Sequence, residues 1–499
     1  MMTRIWMFMR VGWLLAASCL AGSPVQLRAA EPPRLFPDYV GVTLPPNIAP
    51  LNFRIQEPAA AYRVELRSTQ GPPIFIASAN PAIRIPPKAW ASLLRANPGQ
   101  PFYWDISARA VSSAWTRFAT VTNQIAREPI DGWLAYRLLK PTFNYYTHLG
   151  IYQRNLASFD QRLIIGQDKY NDSCLNCHIP LNQSPSTFAF NTRTDAGKNA
   201  MILVVSNQPA RVDRTMGYLA WHPSGQLLAF SVNKLSLLFH TQGETREVHD
   251  ANSDLGIYRV ASNTIVFPPV IAAPDRNETW PAWSPDGKYL YFSSAVPQPL
   301  QKLRLLRYDL MRVGFDLPTG QWGQPELMIS AAETGRSVCQ PKVSPDGRFL
   351  LVTLCKNGSF PIFKSDSDLY VMDLATRALR RLAINSDQAD TWHSWSSNSR
   401  WVVFSSKRID GFFARPHFSY VDEHGEFHKP FVLPQEDPAF YGFCLKTFNV
   451  PEFMRGPVTV QQRDLARTVV EPRRVLLPQG PARPPSAGLQ PAPDHSSYP

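Results

Sequence analysis

The chain has 499 residues, 44 % of them hydrophobic and 18 % charged, with 47 prolines. That length exceeds one small core and predicts two or three domains, while abundant proline and sparse charge argue against long helical bundles and for short strands with many turns. The net charge of +12 is spread without a Lys/Arg run. This favours a basic soluble protein over a nucleic-acid binder and leaves room for an acidic protein partner or an anionic membrane surface.

Residues 1–30 read as an export signal. Arg4 and Arg10 lead into an apolar stretch from Val11 to Ala21 that is too short to span a bilayer. Ala29-Ala30 before Glu31 offers one cleavage site, with Arg28 as its weak point. Leu15-Ala16-Ala17-Ser18-Cys19 resembles a lipobox, in which case Cys19 carries a lipid and tethers the chain to a membrane. Secretion to the periplasm without a lipid is the preferred reading.

Residues 31–125 predict a small immunoglobulin-like β-sandwich. Tyr62 to Arg67 and Pro73 to Ala77 have strand composition between Gly-Pro and Asn-Pro breakers, and Phe102 to Arg109 alternates as a half-buried strand does. Residues 126–180 change character. Asp131 to Leu139 has helical spacing and stops at Pro141, and Tyr152 to Ile164 predicts a second helix, so a short helical segment is expected here.

That segment ends in Cys174-Leu175-Asn176-Cys177-His178. Two thiols at this spacing reach the two vinyl groups on one porphyrin edge, and the His directly after reaches the iron, so the unit points to one haem c on Cys174 and Cys177 with His178 as proximal ligand. A thioredoxin-like motif would want a βαβ context, and half of a zinc site would want a second Cys/His pair nearby, which does not follow. Export agrees with haem, because such motifs are loaded outside the cytoplasm by a haem-attachment machinery.

Residues 181–470 hold a repeat. Trp221-His222-Pro223-Ser224-Gly225, Trp283-Ser284-Pro285-Asp286-Gly287, Val343-Ser344-Pro345-Asp346-Gly347 and Trp395-Ser396-Ser397-Asn398-Ser399 each join two strand-like runs, at intervals of 62, 60 and 52 residues. With further strand-like runs in each interval, four strands per repeat predict a β-propeller of five or six blades. Cys339 and Cys355 flank one of these turns, near the open end of a hairpin, which suggests a disulfide or simply two small core residues. Residues 471–499 are Pro-rich and predict a disordered tail.

The turn core Trp-Ser-Pro-Asp-Gly resembles the PD40 repeats of TolB-type propellers. The chain is similar to a group of exported bacterial proteins known as TolB-like or cytochrome c biosynthesis proteins. The resemblance runs over most of residues 37–460, through Pro45 to Phe53, Glu128 to Asp131, Gly150 to Arg154, Asp172 to His178 and His393 to Trp401. It implies an exported propeller with one c-type haem. Members carry Phe-His-x-Arg after the haem motif; here the stretch is Phe190-Asn191-Thr192-Arg193, so Asn191 stands where a haem contact is expected.

The sixth iron ligand has several candidates: His148 just before the motif, His393 on the first strand of a repeat, and Met201 or Met216 after the motif. A filled sixth position would favour electron transfer, an open one ligand binding or catalysis. No catalytic triad, phosphate loop or calcium loop stands out, so an enzyme is the less favoured class. Two readings remain. One is a mono-haem cytochrome for electron transfer whose propeller docks a redox partner. The other is a propeller that binds an envelope protein or glycan, with a structural or sensory haem.

Overall fold

The computed structural model describes residues 27–28, 31–140, 149–167, 174–193, 199–214, 216–241 and 244–470. The apolar stretch expected to be an export signal with Cys19, His148 and the Pro-rich tail lie outside the described residues. The chain is mainly β, in many antiparallel sheets. Among the described residues only two strand pairs run parallel: Leu27–Arg28 with Thr116–Arg117, and Thr43–Leu44 with Val121–Ile125.

The N-terminal region forms a seven-stranded sheet and a three-stranded sheet. Strand Ala61–Ser68 shows how the sequence builds it. Tyr62, Val64 and Leu66 are buried, and Arg63, Glu65 and Arg67 lie on the other face, the period-2 pattern of a half-buried strand. The expected all-β region also holds a ten-residue helix, Pro87–Ala96, which buries Trp90, Leu93 and Leu94. Pro87 suits its first turn, where the missing N–H costs nothing. The core is shared with the rest of the chain, since Phe53, Trp90 and Trp104 belong to one apolar cluster with Trp401, Phe418 and Phe431.

Six further sheets follow along the chain. Their innermost strands are Thr447–Met454, Cys174–Pro180, Gly217–Trp221, Asn277–Trp283, Ser337–Val343 and Asp390–Trp395. Each inner strand packs against the next, and the series closes because Thr447–Met454 packs against both Asp390–Trp395 and Cys174–Pro180. The first sheet is built from both ends of this region: Thr447–Met454 pairs with Trp133–Leu139, which pairs with Gly150–Asn155 and then Gln161–Gly166.

The expected helices of residues 126–180 are therefore strands. In Trp133–Leu139, Leu134, Tyr136 and Leu138 enter one apolar cluster and Ala135 and Leu139 enter another. A strand buried on both faces has no polar side to reveal its period, so the run reads equally well as a helix.

The repeat turns join the first two strands of their sheets. Ser284 Oγ donates to Asp286 Oδ1 at 2.6 Å, Asp286 Oδ1 accepts from Lys288 N at 3.1 Å, and Gly287 takes φ 74°. A side-chain acceptor two residues along and a left-handed Gly close the turn with little strain. Ser396 and Asn398 repeat the pattern at 2.6 Å. Two of the repeat tryptophans stitch neighbouring sheets: Trp221 Nε1 donates to Ile179 O at 3.3 Å and Trp395 Nε1 to Lys342 O at 3.1 Å.

Three stretches of the sequence are joinery. Asn47 exchanges two hydrogen bonds with the Ile130 backbone, at 2.8 and 3.0 Å. Asp131 accepts from Ser397 N and Oγ at 2.7 and 2.6 Å. Gln153 exchanges two bonds with the Val458 backbone, at 2.7 and 3.1 Å. Together they fasten the N-terminal sheets and the C-terminal end onto the closing sheet.

Candidate functional site

All six inner strands carry a β-bulge at the same place. In each, two residues oppose one on the neighbouring strand: Val450-Pro451, Cys177-His178, Tyr218-Leu219, Trp280-Pro281, Gln340-Pro341 and Trp392-His393. The first residue is left-handed in five of them, with φ between 39° and 57° at Tyr218, Trp280, Gln340, Trp392 and Val450. Such φ values are unusual away from Gly and mark positions that the surroundings over-determine. The bulges aim side chains into one central pocket.

Tyr218, Trp280 and Trp392 make the aromatic part of this pocket. Tyr218 and Trp280 stack with centroids 3.6 Å apart, and Trp392 meets Trp280 edge-on at 5.0 Å. His178, His393, Gln340, Lys342 and Glu452 make its polar part. Lys342 Nζ lies 3.2 Å from Glu452 Oε1, and Gln340 Oε1 accepts from Trp392 N at 3.0 Å and Thr353 Oγ1 at 3.1 Å.

His178 is the least satisfied group of the pocket. It is 5 % exposed, and neither ring nitrogen has a hydrogen-bond partner. Backbone of Ala135 and Val450 lies near the ring without completing a bond. Burial, reinforced by the Arg137 charge, pushes its pKa down to about 3, so the ring is neutral at ordinary pH, and its one lone pair and its one N–H are both uncommitted to protein. Arg137 itself is held by Leu175 O at 3.0 Å and by Asn176 Oδ1. His178 also lines a second, wholly apolar cavity with Ala135, Ile164, Phe190 and Met454.

The structure brings some expected residues together and separates others. Cys174 starts the strand that carries His178, is buried, and accepts from Asn176 Nδ2 at 3.0 Å. The side chain of Cys177 lies outside the described residues, but its backbone is the first half of the bulge. His393 lines the pocket with His178; burial pushes its pKa down to about 3, and its Nε2 bonds Leu351 O at 3.1 Å. Met201 and Met216 pack in a separate apolar cluster and line neither cavity. Asn191 is occupied elsewhere, because its side chain exchanges two hydrogen bonds with the Met216 backbone.

Cys339 and Cys355 are not bridged. Cys339 opposes Thr353 and Cys355 opposes Ser337, so the two are diagonal neighbours. Each thiol points at a backbone carbonyl, Gly358 O at 3.5 Å and Asn357 O at 3.4 Å. Burial, with the Cys355 thiol beside it, pushes the Cys339 thiol well up and keeps it protonated. Among the described residues no three His, Cys, Asp or Glu side chains cluster around a common point.

Haem c is therefore tested against His178 and Cys174. A buried, neutral imidazole with two unpaired nitrogens beside a pocket is what an iron ligand requires, and Cys174 is four residues away on the same strand. A regular strand turns side chains three apart to opposite faces, and the bulge between Asn176 and Ile179 interrupts that alternation at Cys177. His178 and Cys174 as placed fit the group, the side chain of Cys177 lying outside the described residues. Sequence reasoning missed the aromatic wall and Met454, although an x-Pro or x-His dyad stands just before the turn in three of the four repeats, at Trp280-Pro281, Gln340-Pro341 and Trp392-His393.

No protein-family model matches the chain, and no curated protein matches it. Among solved structures it is similar to an oligogalacturonate lyase from Vibrio parahaemolyticus, at 10 % identity and TM-score 0.34, over 74 % of this chain and 100 % of that one. It is similar to a luciferin-regenerating enzyme at 12 % identity and TM-score 0.35, over 57 % and 84 %. It is also similar to prolyl oligopeptidase B from Galerina marginata at 11 % identity and TM-score 0.35, over 68 % of this chain and 50 % of that one. Likeness this distant carries no argument about activity.

Proposed function

We propose that the chain is an exported, TolB-like six-bladed β-propeller behind a small immunoglobulin-like sandwich, that it carries one haem c on Cys174 and Cys177 with His178 on the iron, and that it transfers electrons in the periplasm. The observation that carries this reading is His178, a buried neutral ring with both nitrogens unpaired, inside a Cys-x-x-Cys-His unit. Six sheets with a closed series of inner strands support the blade count. When bound, the haem supplies one-electron chemistry at the iron. The chain's own residues supply the rest. His178 presents a lone pair, the cysteines anchor the porphyrin edge, and Tyr218, Trp280 and Trp392 keep the neighbouring wall apolar. The broad ring would dock a redox or envelope protein, and the basic balance would steer an acidic one.

A second reading is favoured by the aromatic wall. Three aromatic rings beside a Lys–Glu pair suit a bound peptide or glycan, with the haem in a structural or sensory role. The test is protein made with a c-type maturation system. It should carry one covalent haem that survives acid–acetone extraction, and Cys174→Ala with Cys177→Ala should remove it. Colourless wild-type protein from a host with working haem attachment would sink the cytochrome reading. Rapid carbon monoxide binding by the reduced protein would indicate an open iron and replace electron transfer with ligand binding.

A further inference from the structure

The outward face of the N-terminal seven-stranded sheet is unlike the rest of the surface. Its strands place Arg63, Glu65 and Arg67 beside Tyr103, Asp105, Ser107 and Arg109, and the register continues to Arg117 on one side and to Phe75 on the other. The opposite face of the same strands is core, so this face is the open one. Four arginines stand against two acids. Asp105 is already neutralised: burial pushes its pKa up, but hydrogen bonds from Thr120, Arg117 and Arg67 outweigh that and hold it at about 2. Arg63 and Arg109 have no acid partner among the described residues. Their guanidinium groups both lie over one ring, 4.2 and 5.0 Å from Trp115, and Arg67 lies 4.6 Å from Tyr103.

Stacking on an aromatic ring pre-orients a guanidinium while leaving its N–H fork available for an oxyanion. Two apolar side chains stand out beside these arginines. Phe75 is 69 % exposed on the face itself, and Val111 is 82 % exposed in the loop that leads to Trp115. They are the most exposed large apolar groups of the N-terminal region. Cations interleaved with protruding apolar groups on a flat surface match the headgroup layer of an anionic bilayer, where the cations meet phosphate and the apolar groups enter the acyl boundary. On the lipobox alternative the tether would also arrive here, because Leu27–Arg28 pairs with Thr116–Arg117 at the edge of this sheet and Cys19 lies eight residues earlier, within about 28 Å if fully extended.

We infer that this face docks on an anionic phospholipid surface. The docking needs no haem, so it stands apart from the cytochrome reading. It holds the N-terminal region against the membrane and leaves the ring of six sheets to meet a partner.

The test uses the exported full chain carrying Cys19→Ala, so that no lipid anchor contributes. Binding is measured by co-sedimentation with phosphatidylcholine vesicles with and without 30 % phosphatidylglycerol. The chain should bind the anionic vesicles, and about 0.5 M salt should release it, since screening shortens the reach of its charges. Arg63→Glu with Arg109→Glu should weaken binding about tenfold or more. Phe75→Ser should weaken it several-fold with the charge unchanged. Lys302→Glu with Lys356→Glu, exposed on the ring, should leave it as it was. Circular dichroism melts confirm that each variant is folded. Equal binding to neutral vesicles, or unaltered binding by the arginine pair, overturns the inference. So does capture by polygalacturonate without any binding to vesicles, which would make the face a site for acidic polysaccharide.

Discussion

His393 holds the same position in its strand that His178 holds in the haem-motif strand: each is the second residue of a bulge, one inner strand apart across Val450-Pro451, and both line one pocket. The difference is their occupation. His393 bonds Leu351 O through Nε2, whereas His178 bonds nothing.

That pairing makes His393 the first candidate for the sixth ligand. His393→Ala should leave the haem attached and turn the reduced spectrum from low-spin to high-spin, with faster carbon monoxide binding. An unchanged low-spin spectrum removes His393, and Met454→Ala is then the informative variant, because Met454 lines the cavity on which His178 also borders.

Asp250 should give a pH signature. Burial pushes its carboxyl up to about 7, against the pull of bonds from Asn233 and Tyr308, and its Oδ1 has no partner. The folded protein therefore keeps a proton that the unfolded chain releases near 3.8, so stability from this site is present below pH 3.8 and is lost as pH rises through 7. Urea titrations should show Asp250→Asn close to wild type at pH 4 and more stable by about 2–4 kcal/mol at pH 8. A constant offset at both pH values would contradict the assignment.

The long hairpin of Leu227–Thr241 and Glu244–Arg259 extends beyond its sheet, and its outer part is pinned by a buried ion pair. Glu247 and Lys364 are each 4 % exposed and in contact, with Asn357 Oδ1 3.4 Å from the lysine. Removing one partner strands a buried charge. Lys364→Met should cost about 3–5 kcal/mol, and Glu247→Gln with Lys364→Met should recover most of it. Thermal melts of the two variants decide.

The first sheet owes its inner strand to the C-terminal end. A chain ending at residue 446 should lose cooperative unfolding and associate through the bared edge of Trp133–Leu139. A sharp, monomeric melt of that truncation would show that closure is dispensable.

The repeat turns were legible because Ser, Asp or Asn, and Gly stand where the turn's hydrogen bonds and left-handed residue require them. The strands of residues 133–166 were not, since burial on both faces erased their alternation. The helix Pro87–Ala96 left a signal that strand composition around it masked: Pro87, then Trp90, Leu93 and Leu94 at helical spacing. At the site, His178 and Cys174 were readable from the motif alone. That the motif is the first strand of a sheet was readable only by aligning Cys177-His178 with Trp392-His393 and Trp280-Pro281, because no repeat turn follows Cys177-His178. Tyr218 and Trp280 meet from two strands 62 residues apart, which local pattern cannot foresee.

Closure from both ends also sets an order of events. The strand that carries Cys174 and His178 packs on one side against Thr447–Met454, some 270 residues downstream. Until that last strand docks, the motif has no neighbour on that side and its pocket has no floor at Val450 to Glu452. If the chain is exported and loaded with haem as proposed, it would pass through an interval in which the motif is reachable by an attachment machinery before the closing strand covers it. Timing of secretion, rather than any mobile loop, would then govern whether the cofactor is loaded.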